Sequence, residues 1–350
     1  MTTDLEALGG TQGVLEALVE GHDLSGDQSK TVLNHVFDGS ADPAVVAGLL
    51  VAWRAKGETA EEMHGMVEAM LEHCVTVKID RPTLDIVGTG GDQKHSVNVS
   101  TMAALCVAGA GVAVCKHGNR ASSSSVGTAD VLEELGVTLE VGPEVVARSV
   151  EEAGIGFCFA PAFHPAMRHV GPVRRALGIR TVFNLLGPLA NPARPERLLV
   201  GTADPSATEK MAAVLGASGV ERAWVVYAND GFDELSLAAT SQVVEVTGDG
   251  SGDFELRHWI LDPSSLGLVR ASEDEVRGGD VATNAEVVRR VLAGEVGAAR
   301  DLVLLNASAA LVIAGAVPGI EEGLVLAAAS LDEGAAARAL DGLIAATAHA

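Results

Sequence analysis

The sequence predicts an α/β protein: a small all-helical domain followed by a larger α/β domain with a mainly parallel central sheet. Up to about residue 76 the chain shows only helix caps and helical periodicity. From residue 84 short apolar strands alternate with helical segments, the pattern of a parallel sheet covered on both faces. The 350 residues exceed one ordinary core, and 48% of them are hydrophobic. The expected division is 1–78 for the helical domain and 79–350 for the α/β domain.

In the helical part, Ser25 with Gln28 and Thr59 with Glu62 fit capping boxes. Asp42-Pro43 places an N-cap before a proline at the first helical position. Leu15, Leu18 and Val19 share one helical face, and Met63, Met66, Val67 and Met70 share another. Both stripes read as helix packing, and a face near the N-terminus could also form a dimer seam. LDIVG at 84–88 then reads as a buried strand, followed by a glycine-rich loop and a helix over about 100–110. VAVC at 112–115 is a second strand, followed by a loop and a helix over about 128–135. IGFCF, LLVG and WVVY continue the strands at 155–159, 198–201 and 224–227. VVEV at 243–246 and DFELRHW from 253 alternate, and the chain from about Ala282 is helical and Ala-rich. The uncharged stretch 302–320 contains Asn306, Ser308 and Pro318, so it reads as a buried core helix rather than a membrane span.

Acidic residues number 47 and basic ones 24, a formal net charge of −23 that repels nucleic acid and anionic membranes on average. A basic cluster in such a chain must be local and aimed at something. Cys74, Cys106, Cys115 and Cys158 form no C-x-x-C pair and lie in apolar stretches, as buried reduced thiols of a cytosolic protein do. The start MTTDLEALGG has neither a basic nor an apolar signal region, so a cytoplasmic location is expected.

Four segments carry chemistry. In DIVGTGGDQKHSVNVST, residues 85–101, Gly88, Gly90 and Gly91 stand between a strand and a helix. Such a loop lets backbone N–H groups approach an anion at the positive end of the helix dipole. Asn98, Ser100 and Thr101 at the helix start can bind phosphate oxygens or a metal. Gln93 occupies the third glycine position of a dinucleotide fingerprint, and no G-K-[ST] ending of a P-loop follows. KHGNRASSSS, residues 116–125, concentrates Lys116, His117 and Arg120 with Gly118 and four serines after a strand, which suits a pyrophosphate ester. Asp233-Glu234 follow the strand WVVY; Mg2+ takes one or two carboxylates plus substrate oxygens, although an isolated acidic pair reads equally as a solvated loop. In APAFHPAMRHVGPVRRALG, residues 160–178, Arg168, Arg174 and Arg175 form a second basic cluster from which Arg174 could point into a cleft toward a carboxylate.

Taken together, these segments resemble the anthranilate phosphoribosyltransferase family. GTGGD at 88–92, NVST at 98–101, KHGNR at 116–120, the ADVLEELG helix at 129–136, FNLLGPLANP at 183–192 and Asp233-Glu234 occur in the family's order across nearly the whole chain. The resemblance implies transfer of the ribose phosphate of phosphoribosyl pyrophosphate to the amine of anthranilate, with Mg2+, in tryptophan biosynthesis. It implies that Gly88, Gly91, Asp92, Ser96, Asn98, Val99, Ser100 and Thr101 hold phosphoribosyl pyrophosphate. Lys116, His117, Gly118, Asn119, Arg120, Ala121, Ser122, Ser123, Ser124 and Thr128 would form the second pyrophosphate-binding part. Gly88, Asn119 and Arg174 would bind anthranilate; Ser100, Asp233 and Glu234 would hold Mg2+; and His117 is a candidate proton acceptor. Where members often have Lys and Ser, this chain has Ser125 and Val126, which removes a charge and a donor and should weaken pyrophosphate binding. The resemblance further implies a homodimer through the helical domain, a segment near 170–190 joined to that domain, and a site between the domains. Two other readings compete: a pyrimidine nucleoside phosphorylase, told apart by Mg2+ dependence, and a non-catalytic relative that binds nucleic acid, which the net charge opposes.

Overall fold

The computed structural model describes residues 4–92, 94–121 and 126–348. In order the elements are α1 (Asp4–Ala7), α2 (Gly10–Val19), α3 (Gly26–Phe37), α4 (Pro43–Lys56), α5 (Ala60–Glu72), β1 (Leu84–Gly88), α6 (Val99–Gly109), β2 (Val114–Gly118), α7 (Thr128–Glu134) and α8 (Pro143–Ala153). Then come β3 (Ile155–Phe159), α9 (Ala160–Phe163), α10 (Gly171–Leu177), α11 (Phe183–Leu186), β4 (Arg197–Gly201), α12 (Thr208–Ala217) and β5 (Arg222–Ala228). The chain ends with β6 (Ser241–Gly248), β7 (Phe254–Leu261), α13 (Val281–Leu292), α14 (Ala298–Ile313), α15 (Ile320–Asp332) and α16 (Ala335–Thr347).

Both capping boxes form, at Ser25–Gln28 and Thr59–Glu62, and Asp42 caps Ala44 ahead of Pro43. Glu62 is fully buried and also accepts from Leu24 N, Trp53 Nε1 and Lys56 Nζ, so one cap residue ties α3, α4 and α5 together. Met63, Met66, Val67 and Met70 all pack inside. On α2 the packing face is Val14 and Leu18, and Val19 is 76% exposed, so it leaves the expected stripe.

The sheet runs β3-β2-β1-β4-β5-β6-β7. The first five strands are parallel; β6 and β7 add on antiparallel, in keeping with their alternating sequences. β2 begins at Val114, two residues later than VAVC suggests, and continues to Gly118, so Lys116 and His117 are strand residues. Against one face of the sheet lie α6 and α14, buried on almost every side, with α13, α15 and α16 around them. The uncharged stretch 302–320 is not one helix: α14 stops at Ile313, Gly315 turns left-handed at φ 71°, and α15 starts after Pro318-Gly319. Among the described residues no helix is long and apolar enough to cross a membrane.

The other face packs on α12 and, beyond it, on the helical part. Residues 165–190, beginning with a 3₁₀ turn at Pro165–His169 rather than one helix from Ala166, share that second core. Phe183 reaches Phe37 of α3 at 6.3 Å between ring centroids.

Candidate active site

From β1 the chain passes to β2 and β3 on one side, and later to β4 and β5 on the other. The direction of winding therefore reverses between β1 and β4, whose carboxyl ends meet at the Gly88–Gly201 pair. A crevice outside such a reversal is where open α/β sheets bind ligands.

Asp233 lies directly over this pair. A Cβ on Gly201 would meet the Asp233 carbonyl oxygen at 1.6 Å, and one on Gly88 would meet Asp233 Oδ2 at 2.6 Å. Only glycine at both strand ends lets the acidic loop close down. Gly90 and Gly91 turn left-handed just beyond, at φ 67° and 81°, and Gly90 N–H donates to Asp233 Oδ2 at 2.6 Å. Ser100 N–H, at the start of α6, donates to Glu234 Oε1 at 3.2 Å. The acidic loop is held from behind by buried Asn306 of α14, which exchanges hydrogen bonds with the Leu235 backbone at 3.1 and 3.0 Å.

Burial, and then the neighbouring Asp92 charge, pushes Asp233 up to about 7; burial, and then Asp233, pushes Glu234 up to about 8. Carboxyls so destabilised as anions have a deficit of nearby positive charge, which a divalent cation would correct. Among the described residues no three His, Cys, Asp or Glu side chains form a metal-binding group. Two protein carboxylates, with water and substrate oxygens completing the shell, suit Mg2+ better than a metal that needs a closed protein cage.

Lys116 is only 2% exposed; its ammonium donates to the Ile86 carbonyl, and burial lowers its pKa against the pull of Asp85 and Glu234. It supports the floor of the crevice rather than the loop above it. His117 lies on the opposite side of β2, with its ring 5.2 Å from that of His164. Burial, then His164, lowers His117 to about 3, so it is a weak proton acceptor.

The second loop starts at Asn119. Asp130 Oδ2 accepts from Ala121 N and Gly127 N at 2.9 Å each and so shapes the loop ends. Arg120 is exposed and turned onto Asp130 and Glu133, at 3.1 and 2.7 Å. Ser122, Ser123, Ser124 and Ser125 lie outside the described residues. Val126 is buried in the core beside α6, so its apolar side chain has a packing role, while its carbonyl accepts from Asn98 Nδ2 at 3.4 Å. A second bridge, Thr101 Oγ1 to Thr128 Oγ1 at 3.3 Å, joins the starts of α6 and α7. Thus Gly88, Asp92, Asn98, Ser100, Thr101, Lys116, Thr128, Asp233 and Glu234 come together. Ser96 instead pairs with Arg277, and Val99 is buried with its N–H on Val97 O.

Of the three arginines at 168–175, only Arg174 turns inward. It is half-buried, 5.4 Å above the Phe183 ring, and among the described residues its guanidinium makes a single hydrogen bond, a 3.5 Å contact to Asn184 Oδ1. Burial lowers its pKa, and among the described residues no carboxylate pairs with it. Arg168 and Arg175 are exposed.

Sequence reasoning passed over several residues that shape the site. Arg180 donates to the Gly91 and Gly90 carbonyls at 3.3 and 3.4 Å, tying the segment before FNLLGP to the glycine loop. Asp85, fully buried and raised by burial to about 6, accepts from His117 N and from Asn191 Nδ2. A carboxylate inside the apolar strand LDIVG was the available signal.

Comparisons with known proteins agree with this geometry. The glycosyl transferase family matches in two parts, its helical bundle domain over residues 12–74 and its a/b domain over 80–337. Anthranilate phosphoribosyltransferase of Thermomicrobium roseum is 51% identical over 332 residues, covering 94% of this chain and 95% of its own. That of Salinispora arenicola is 51% identical over 337 residues, 94% of each chain. The crystal structure of anthranilate phosphoribosyltransferase from Thermus thermophilus superposes with a TM-score of 0.89 at 43% identity, covering 95% of this chain and 99% of that one. The Saccharomyces cerevisiae enzyme, in complex with PRPP and Mg, has a TM-score of 0.88 at 27% identity, covering 97% and 98%.

Proposed function

The chain belongs to the anthranilate phosphoribosyltransferase family, and on that premise we propose that it transfers the 5-phosphoribosyl group from phosphoribosyl pyrophosphate to anthranilate, giving N-(5-phosphoribosyl)anthranilate and pyrophosphate. One observation carries the reading: the pair Asp233-Glu234 is bonded to both the glycine loop and the start of α6, at the sheet's reversal point.

Asp233 and Glu234, with Ser100 at hand, would hold Mg2+. When bound there it would neutralise negative charge building on the departing pyrophosphate. The N–H groups of the glycine loop and the positive end of α6 would orient the diphosphate. Asn98, Thr101 and Thr128 would supply further donors, and Lys116 would offset the acidic floor from below. Asn119, Ser122, Ser123 and Ser124 would add donors to the same anion. Arg174 would take the carboxylate of anthranilate, with Asn119 and the Gly88 backbone beside it, presenting the ortho amine to the ribose C1. Orientation matters because an aryl amine is a weak nucleophile. It is already neutral at pH 7 and needs no strong base, and His117, buried on the other side of β2 against His164, is not placed to act as one.

We further propose that the domains divide as 1–78, joined by 170–190, against 79–350. Packing of α10 on α4, and of Phe183 on Phe37 of α3, supports joining 170–190 to the helical part. A homodimer through the helical domain is supported by Val19 and Val51, exposed on α2 and α4, and is tested by sedimentation of the purified protein. A cytoplasmic location accords with the free cysteines.

The activity test is loss of anthranilate fluorescence. It should fall only when phosphoribosyl pyrophosphate and Mg2+ are both present. Turnover of thymidine or uridine with phosphate, and none of anthranilate, would overturn the reading.

A further inference from the structure

Asn284 stands near the N-terminus of α13, 1% exposed, on a helix that packs against both α6 and α7. A buried amide must satisfy both its ends. Its Oδ1 accepts from Gly279 N–H at 2.8 Å. That donor is backbone and cannot reverse, so the Nδ2 end faces Asn98 and donates to Asn98 Oδ1 at 2.9 Å. Asn98 must then carry its own NH2 on the far side, where it meets the Val126 carbonyl. Exchanging O and N in either amide would set acceptor against acceptor. The stretch before α13 is pressed into the same place. Gly278 N donates to His95 O at 2.8 Å, and a Cβ on Gly278 would meet Asn284 Oδ1 at 2.6 Å and Ser96 O at 2.9 Å.

Resting on the functional reading above, we propose that Asn284 is a positioning residue: it fixes the orientation of the Asn98 amide, and so couples Asn98, ahead of α6, to Val126, ahead of α7. An anion bound at the start of α6 would then meet the remaining N–H of the Asn98 NH2. A reversed Asn98 would present its carbonyl oxygen and repel the anion.

Asn284→Asp tests the polarity directly. Ionised, as at alkaline pH, the carboxylate can still accept from Gly279 N–H but offers Asn98 only an acceptor, which drives Asn98 to reverse. Affinity for phosphoribosyl pyrophosphate with Mg2+, measured by calorimetry, should fall about tenfold, the scale of one charge-assisted hydrogen bond. The KM for anthranilate should stay within about twofold. In the Asn98→Ala background the same change should cost less than about twofold, because no amide remains to reverse. An equal loss in both backgrounds would assign the effect to the added charge and overturn the proposal, as would no loss in either. Should Asn284→Asp fail to fold, Asn284→Ser, whose hydroxyl is too short to reach Asn98, should show a severalfold loss with the same dependence on Asn98. A wild type that fails to bind phosphoribosyl pyrophosphate would sink the functional reading and this proposal with it. A wild type that binds, with additive losses in the variants, would sink only the proposal.

Discussion

Arg174→Ala separates the two substrates. In the free protein the guanidinium is half-buried, its pKa is lowered by desolvation, and its single hydrogen bond among the described residues is a 3.5 Å contact. An incoming carboxylate would supply the anion it lacks, and a charge-assisted hydrogen bond is worth about 1.5–3 kcal/mol, or roughly tenfold to a hundredfold in affinity. The Phe183 face, 5.4 Å away, holds the fork in place. The KM for anthranilate should therefore rise about tenfold or more, with the KM for phosphoribosyl pyrophosphate little changed. Arg174→Lys should recover only part, because an ammonium cannot reproduce the planar fork.

Stability gives a second reading of the same variant. Removing a half-buried cation with no paired carboxylate relieves desolvation while losing the ring contact, so the unfolding free energy should move by less than about 1 kcal/mol. Initial rates of anthranilate fluorescence loss, with phosphoribosyl pyrophosphate and Mg2+ saturating, measure the first effect; urea denaturation measures the second. A normal Arg174→Ala beside a selective anthranilate defect in Arg168→Ala or Arg175→Ala would refute the reasoning.

Other perturbations follow the same geometry. Asp233→Asn with Glu234→Gln keeps shape and removes both charges, so the double variant should stay folded, lose rate and need far more Mg2+; an unchanged Mg2+ titration would reduce the pair to an acidic loop. Lys116→Ala should weaken phosphoribosyl pyrophosphate binding severalfold, by removing the cation that offsets Asp85 and Glu234 rather than a direct contact. It should also lower the melting temperature, because buried Asp85 loses its facing cation; equal calorimetric affinity would refute the role. His164 is lowered by burial to about 4. The unfolded chain takes up that proton near pH 6.5, so the wild type should lose about 1.4 kcal/mol per pH unit relative to His164→Gln as the pH falls from about 6.5 to 4. Above that window the two stability curves should run parallel; parallel curves throughout would disprove the burial effect.

The glycine loop, the basic segment and the acidic pair were legible because each is contiguous in the chain, and its chemistry shows in residue type and order. What escaped was long-range. β2 continues through Lys116 and His117 because the Ile86 carbonyl and the space beside His164 receive those side chains, and neither is near in sequence. The sequence singles out Arg174 as the arginine facing a cleft, but not Phe183 and Asn184, beyond the end of α10, that hold it there. Yet a weaker signal was present. Asp85 interrupts the apolar LDIVG, and Asn306 interrupts LVLLNASAALVI. A polar group buried without a partner costs about 1–3 kcal/mol or more, so each interruption announces that a partner exists without saying where. For Asp85 the partner is Asn191, 106 residues away; for Asn306 it is the backbone of Leu235, next to Glu234. For Asn306 the partner adjoins the site, because a loop that must hold charge at a strand end needs an anchor in the core behind it; Asn191 instead ties the amino half of β1 to the Cys115 carbonyl of β2. An isolated polar residue within an apolar helix is therefore a pointer to a positioned partner, as Asn306 on α14 is for the acidic loop.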